Sequence, residues 1–488
     1  MPEPTLAQRL GAFAAATDYH RLPEEVVDSV RKRVLDVLGI CVAAAPLDTS
    51  RAARGFVADQ GGRAQACAVG LPERVPAPLA AFVNGVLAHS LDYDDTHLPS
   101  VLHPSASVIP AALAAAQECS ADGEQTVAAI AVGLEVCVRL GMAGYDAESG
   151  NSVYFAHGQH ATSICGAMGG AVSAALLYGL DAAGVAHTLG VAASMSSGII
   201  EANRTGGTVK RMHCGWAAHS AVSAAQLVRR GFTGPPTVLE GRFGFFEAWL
   251  HGLYDPAPLI DGLGVQWAVP SIFFKPYPAN HFTHAGIDAA RAVRARGVDP
   301  ADIASMVLGV PAQNLPTVGQ PIEAKRTPAT GYLAQFSGPY TVVAGLLGGG
   351  GLGVGLDDFT DELAQDPARR ELMQRVDVVA DQRCTAVFPH QFPAVLTVRL
   401  TGGDELVEEV FVNRGGPERP LSFDELGTKF RDNAGRLLPP EDVGRLQAAI
   451  ARLERLEDVG ELLDPLRAID PQPFVPRTPR STARQETP

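Results

Sequence analysis

The residue types able to do acid–base chemistry are bunched in three stretches. From His89 to Ser105 the sequence HSLDYDDTHLPSVLHPS carries Asp92, Asp94 and Asp95 together with His89, His97 and His103, directly after an apolar helical pattern. Titratable groups are costly to desolvate, and such a density of them points to chemistry. Far downstream come Lys210, Arg211 and His213 in TVKRMHCG, then Lys275, His281 and His284 in KPYPANHFTH. If TVKRMHCG is helical, Lys210 and His213 share a face and Arg211 points elsewhere; His281 and His284 share a face on the same grounds. Lys275 follows two phenylalanines and precedes a proline-bounded turn, so its ammonium should emerge from an apolar wall. Gathered by folding, these groups would form an active site. Two other readings compete: a zinc or iron site made of Asp94, His97 and His103, or capping and solvated aspartates beside a surface His97.

The elements that must position these residues are mostly helices. Apolar residues recur at helical spacing over 24–45, 77–89, 105–117, 124–142, 162–180, 182–196 and 219–230. Several of these patterns are rich in alanine and glycine, as in Gly166, Ala167, Gly169, Gly170 and Ala171, which lets backbones approach closely in a buried helical core. After about Trp267 the texture changes. Residues 394–412 alternate on both sides of Gly402-Gly403-Asp404 and predict a β-hairpin. Ser422 reads as an N-cap with Glu425 as its capping-box partner, and 440–456 is amphipathic again. The fold class expected is mainly α with a smaller α+β domain. The proline-rich, polar end of the chain reads as a loose tail.

Composition narrows the function. The 488 residues are 46% hydrophobic and 19% charged, enough for two packed domains, and the net charge of −14 disfavours nucleic acid as a partner. Seven scattered cysteines without a CxxC pair fit reduced thiols. Neither an export signal nor an uninterrupted apolar run of about 18 residues is visible, so the expectation is a cytoplasmic protein without membrane contact. The run Gly348–Leu356 lacks the strand and helix of a dinucleotide fingerprint, and no GxSxG elbow occurs.

The chain resembles the MmgE/PrpD family, which includes 2-methylcitrate dehydratases, cis-aconitate decarboxylases and iminodisuccinate epimerases. The resemblance rests on AHSLDYDDTH followed by HPS, HATSICGAMGGAVSAALLYGL, KRMHCGWAAHSAVSAAQLVRRGFTGPPTVLEGRFGF, KPYPANHFTH and NRGGPERPLS, in that order over most of the chain. It implies a helical domain over 1–270, an inserted α+β lid over 271–415, a helical return over 416–468 and a tail over 469–488. It also implies a homodimer and neither metal nor organic cofactor.

Family members remove, move or invert a group next to a carboxylate. That chemistry needs a base near the carbon acid and cations where enolate-like charge grows. At an effective dielectric of 20 each close ion pair with a di- or tricarboxylate is worth about 4 kcal/mol before desolvation. The resemblance places His103 and His160 as proton-transfer groups, Lys210 and Lys275 as clamps, and Asp94 as the group orienting a neighbouring base. Thr96, Arg211, His213, His281, His284, Ser337, Tyr340 and Arg414 complete the expected pocket. In the cis-aconitate decarboxylases a tyrosine follows the lid strand by a few residues. The matching VPAQNLPTV has none, with Leu315 standing near its place, which puts dehydration ahead of decarboxylation. A dehydratase-like lyase is therefore expected, with an epimerase, a decarboxylase, a metal-dependent hydrolase or a catalytically idle dimeric binding protein as alternatives.

Overall fold

The computed structural model describes residues 3–469. Its larger core is built from helices α1 (Glu24–Ala44), α2 (Ala77–Ala88), α3 (Ser105–Cys119), α4 (Gly123–Ala143), α5 (Ala161–Leu177), α6 (Ala182–Met195) and α7 (Val209–Val228). Small residues set the helix crossings. A Cβ on Gly169 would sit 2.5 Å from the Gly133 carbonyl oxygen, and one on Gly215 would sit 2.4 Å from that of Phe82, so α4 meets α5 and α2 meets α7 nearly backbone to backbone. Helix α7 starts ten residues before the expected 219, because its first turns present Lys210 and His213 where an apolar stripe would otherwise run. Helix α4 is apolar and long enough to cross a membrane by length and composition, yet its most apolar window is 94% buried. Within it, Arg139 pairs with Glu135 at 2.6 Å and donates to the carbonyls of Pro258, Asp261 and Gln266, pinning the loop that leads out of this core.

The smaller core follows. Helix α8 (His284–Ala295), strand β1 (Ile303–Val310), helix α9 (Gly338–Leu347) and strands β2 (Val376–Ala380), β3 (Ala394–Leu400) and β4 (Glu405–Val410) form a four-stranded sheet of order β2-β1-β3-β4. β1 and β2 are parallel, joined by a crossover that includes α9; β3 runs antiparallel to both β1 and β4. The expected hairpin is β3–β4, turning at Gly403 with φ of 95°. One face of the sheet buries Met306, Leu308, Leu396 and Val398 against Ile287, Val293 and Val343 of α8 and α9. The other leaves Val307, Val379 and Val407 partly exposed.

The chain then returns to the first core. Helix α10 (Phe423–Ala434), capped by Ser422 and Glu425 as expected, and α11 (Pro440–Ile450) place Leu426, Phe430, Leu446 and Ile450 in the same apolar cluster as Val30 and Leu38 of α1. Each such fully buried side chain contributes about 1.5–3 kcal/mol. The two clusters part between Phe274 and Tyr277, so Lys275 stands at the seam. The expected tail lies outside the described residues except for Ile469, which is buried in the larger core.

Candidate active site

The aspartate-histidine stretch leaves α2 at His89 and doubles back into the start of α3. Asp92 adopts φ of 52°, an uncommon conformation for a non-glycine residue, and it turns three successive polar groups in different directions. Asp95 faces inward. Its carboxylate meets the buried Arg33 guanidinium at 2.6 Å and accepts from the Ser105 N–H at 3.2 Å and the Ser105 hydroxyl, so it caps α3. Arg33 also donates to the carbonyls of Val269 and Ile272 and stacks 4.4 Å above Phe274. Asp95 is thus the anchor of the stretch.

Asp94 accepts from His89 Nδ1 at 2.7 Å, with both side chains buried. Burial alone would strip the proton from His89, but Cys214 and Asp94 outweigh it and raise the imidazole to about 10. Burial would likewise raise the Asp94 carboxyl, yet His89 and His103 hold it well below the usual range. The pair is an imidazolium-carboxylate dyad at neutral pH. The group that Asp94 orients is therefore His89, which the sequence reading counted in the cluster without giving it a role.

Asp92 lies between Lys210 and Lys275, the two lysines expected to act as clamps. Its Oδ1 is 3.5 Å from Lys275 Nζ and 3.6 Å from Lys210 Nζ, and its carbonyl accepts from Lys275 Nζ at 2.9 Å. Burial opposes its ionisation, but Lys275 and Lys210 hold its carboxyl well below the usual range. Lys275 is buried, whereas Lys210 retains some solvent contact. The capping or solvated reading of Asp92 is corrected on these contacts.

His103 Nδ1 is 2.5 Å from the Asp95 carbonyl oxygen and 3.3 Å from Thr96 Oγ1. A carbonyl only accepts, so Nδ1 carries the hydrogen and Nε2 keeps its lone pair. Burial, opposed by Asp94 and aided by Lys275, pushes His103 down to about 4, so the ring is neutral at pH 7. His160, at the start of α5, and His213, on α7, bring their Nδ1 atoms to 2.9 Å; burial keeps both neutral, His213 at about 4. The His89 ring centroid lies 5.5 Å from that of His103 and 5.6 Å from that of His160, making one contiguous imidazole cluster.

The smaller core supplies the opposite wall. His281 is buried with neither ring nitrogen hydrogen-bonded, its ring 4.7 Å from that of His284, and burial keeps it neutral. His284 donates from Nε2 to the Ala279 carbonyl at 3.0 Å. Arg211 covers the Tyr332 ring at 4.9 Å. Tyr332 is a residue that the sequence reading passed over: 122 positions separate it from Lys210, and no local pattern links them.

Three expected pocket residues lie elsewhere, and the competing metal reading is not supported. Ser337 is the N-cap of α9, accepting from the Tyr340 N–H at 3.0 Å and donating to the Lys325 carbonyl at 2.5 Å. Tyr340 is fully buried in the smaller core, its hydroxyl on the Asp358 carbonyl. Arg414 pairs with Glu425 at 2.8 Å and reaches the Leu352 carbonyl and the Tyr277 hydroxyl, tying the seam to α10. The Asp94–His97–His103 metal set is not assembled: His97 is buried with Nδ1 on Ser100 Oγ at 2.6 Å, and the other two are engaged as described. Among the described residues no three such groups gather as metal ligands.

The MmgE/PrpD N-terminal domain matches residues 8–255 and the MmgE/PrpD C-terminal domain residues 277–455, the second beginning where the two apolar cores part. The chain belongs to the MmgE/PrpD family. Among its relatives, cis-aconitate decarboxylase of Homo sapiens is 29% identical over 477 residues, covering 94% of each chain. That of Mus musculus is 28% identical over 455 residues, 91% of this chain and 89% of the other. That of Aspergillus terreus is 25% identical over 429 residues, 83% and 84% of the two chains. This chain is an enzyme of the MmgE/PrpD family.

Proposed function

We propose that this protein is a cofactor-independent lyase that acts on a small di- or tricarboxylate, with decarboxylation of a cis-aconitate-like substrate as its reaction. The observation that carries the reading is the pair of lysines around Asp92 facing a neutral His103 whose Nε2 is free to exchange a proton. Two ammonium groups 3.5 and 3.6 Å from one carboxylate are incompletely neutralised by it and can turn a donor each toward an incoming anion.

In this reading the lysines hold the substrate carboxylates while one C–C bond to a carboxylate breaks. Carbon dioxide leaves, and the electron pair delocalises into the remaining unsaturated acid beside the ammonium groups. Bound carboxylates raise the pKa of His103, which then delivers the proton that completes the product. His89 and Asp94 supply a fixed ion pair beside the imidazole cluster. The end-to-end kinship with cis-aconitate decarboxylases moves this reaction ahead of the dehydration expected from the sequence. Leu315, near the place of the missing tyrosine, packs against the smaller core.

Dehydration or epimerisation is the second reading, favoured by the unprotonated Nε2 of His103, which suits abstraction of a proton from carbon. Proton NMR in deuterium oxide with cis-aconitate, 2-methylcitrate and iminodisuccinate separates the cases. Loss of cis-aconitate with one deuteron entering the product supports decarboxylation. Water loss from 2-methylcitrate or exchange at iminodisuccinate would transfer the assignment to the second reading, and an inert panel would overturn both.

A further inference from the structure

We propose that Tyr332, carried to the site by the α+β unit, is a substrate-binding residue whose hydroxyl donates to the same carboxylate that Lys210 holds, with Arg211 fixing its ring. The inference deepens the reading above and rests on it for the class of ligand, a small polycarboxylate.

The placement of Tyr332 is rigid at the backbone. It sits in the one-turn helix Gly331–Ala334, where Thr330 accepts from the Leu333 N–H and the Gly331 N–H donates to Asp361 at 2.7 Å. A Cβ on Gly331 would fall 1.8 Å from the Phe359 carbonyl oxygen, so only glycine lets the turn sit this close to its support. The ring is held on one side by Arg211, 4.9 Å from its centroid, and on another by Phe336 at 5.4 Å edge-on. The guanidinium comes from α7 and the phenol from the other unit, so this contact bridges the two walls at the mouth.

The phenol lies near the clamp, because its ring is covered by Arg211, one residue along α7 from Lys210. The charges of Lys210, Asp92 and Arg211 all act on the phenol, and the phenol acts in turn on Lys210. Burial holds the phenol pKa above its ordinary value, so at neutral pH the hydroxyl is protonated and donates. Depth assigns the role. Lys275 is 1% exposed and forms the floor, Lys210 is 19% exposed, and Tyr332 at 40% stands outermost. A group at the rim meets the end of the substrate remote from the imidazole cluster. Tyr332 therefore reads a distal carboxylate and sets affinity rather than the chemical step.

The test uses the full-length protein and citrate as the probe. Tyr332→Phe, which keeps the ring for Arg211, is expected to weaken citrate binding about tenfold by calorimetry. It should raise KM for cis-aconitate similarly, with kcat within about threefold of wild type. In a Lys210→Met background the effect of Tyr332→Phe should shrink, because the two donors serve one carboxylate. A Tyr332→Phe variant with wild-type Kd and KM overturns the inference, as does an undiminished effect without Lys210. If wild type binds citrate in a Tyr332-dependent way but turns over none of the panel, the proposed reaction fails and this assignment stands. If it turns over cis-aconitate with a KM indifferent to Tyr332, the reverse holds.

Discussion

His103 owes its chemistry to a single carbonyl. Because the Asp95 C=O can only accept, the ring is fixed in the tautomer that leaves Nε2 as the base, and Asp95 is in turn fixed by Arg33 and Ser105. His103→Ala should therefore lower kcat by about 100-fold or more while leaving citrate affinity within a few-fold. Steady-state kinetics on the folded variant decide it, and near-normal turnover would remove His103 from the mechanism. His89 makes a different kind of prediction. Its imidazole rises from 6.5 to about 10 on folding, so the folded state binds that proton more tightly. The stabilisation is complete below pH 6.5 and disappears as pH climbs through about 10. Denaturant melts between these limits should show wild type losing stability more steeply than His89→Gln; parallel slopes would refute the dyad. At this scale the density of aspartate and histidine made the first stretch legible. His89 was counted there without a role, because only the fold reveals which imidazole Asp94 addresses. Ser337, Tyr340 and Arg414 misled because a hydroxyl or guanidinium beside glycine and proline serves a cap or a strut as readily as a ligand.

The helices that hold the site are joined by one buried cation. Lys429 on α10 pairs with Asp36 of α1 at 2.6 Å, donates to the Tyr93 carbonyl at 3.0 Å and to the Lys275 carbonyl at 2.8 Å, and lies 3.7 Å over the Tyr93 ring. One ammonium thus positions the backbone of both lysine-bearing and aspartate-bearing turns from the C-terminal return. Lys429→Met strands the Asp36 carboxylate and should lower unfolding free energy by about 3–5 kcal/mol. Adding Asp36→Leu should restore most of it. Burial already raises Asp36 to about 6 against the pull of Lys429, so the deficit of the single variant should narrow at pH 5, where Asp36 is protonated. Urea melts of the two variants at both pH values check this, and a double variant no more stable than Lys429→Met would contradict it. The capping box at Ser422 and the β3–β4 hairpin were legible because local rules dictate them. The burial of Lys429 was not, since a lone lysine in FDELGTKF has the spacing of any solvated face.

For the molecule as a whole, the proposed function requires an acidic protein to hold an anionic substrate, and the site offers a narrow margin of charge for it. Lys210, Lys275 and protonated His89 face Asp92 and Asp94, which leaves one net positive charge at the centre of a chain of net charge −14. A tricarboxylate brings three negative charges, two more than the site can neutralise as it stands. The nearest groups able to respond are the neutral imidazoles of His103 and His213, both at about 4, and His160 beside them. Added negative charge a few ångströms away raises an imidazole pKa, and a shift of about three units brings these rings to half-protonation near pH 7. Binding should therefore take up about one proton from solution. Citrate titrations at pH 7 in phosphate and in Tris, whose ionisation enthalpies differ widely, should give different apparent enthalpies, with the difference corresponding to uptake. Affinity should fall as pH rises from 6 to 8, because the proton that balances the third carboxylate becomes harder to acquire. Replacing His103 and His213 together with glutamine should abolish most of the buffer dependence while the lysine clamp remains. Equal enthalpies in the two buffers would mean that the site meets the trianion with fixed charge alone, and the imidazole cluster would then have no part in holding it.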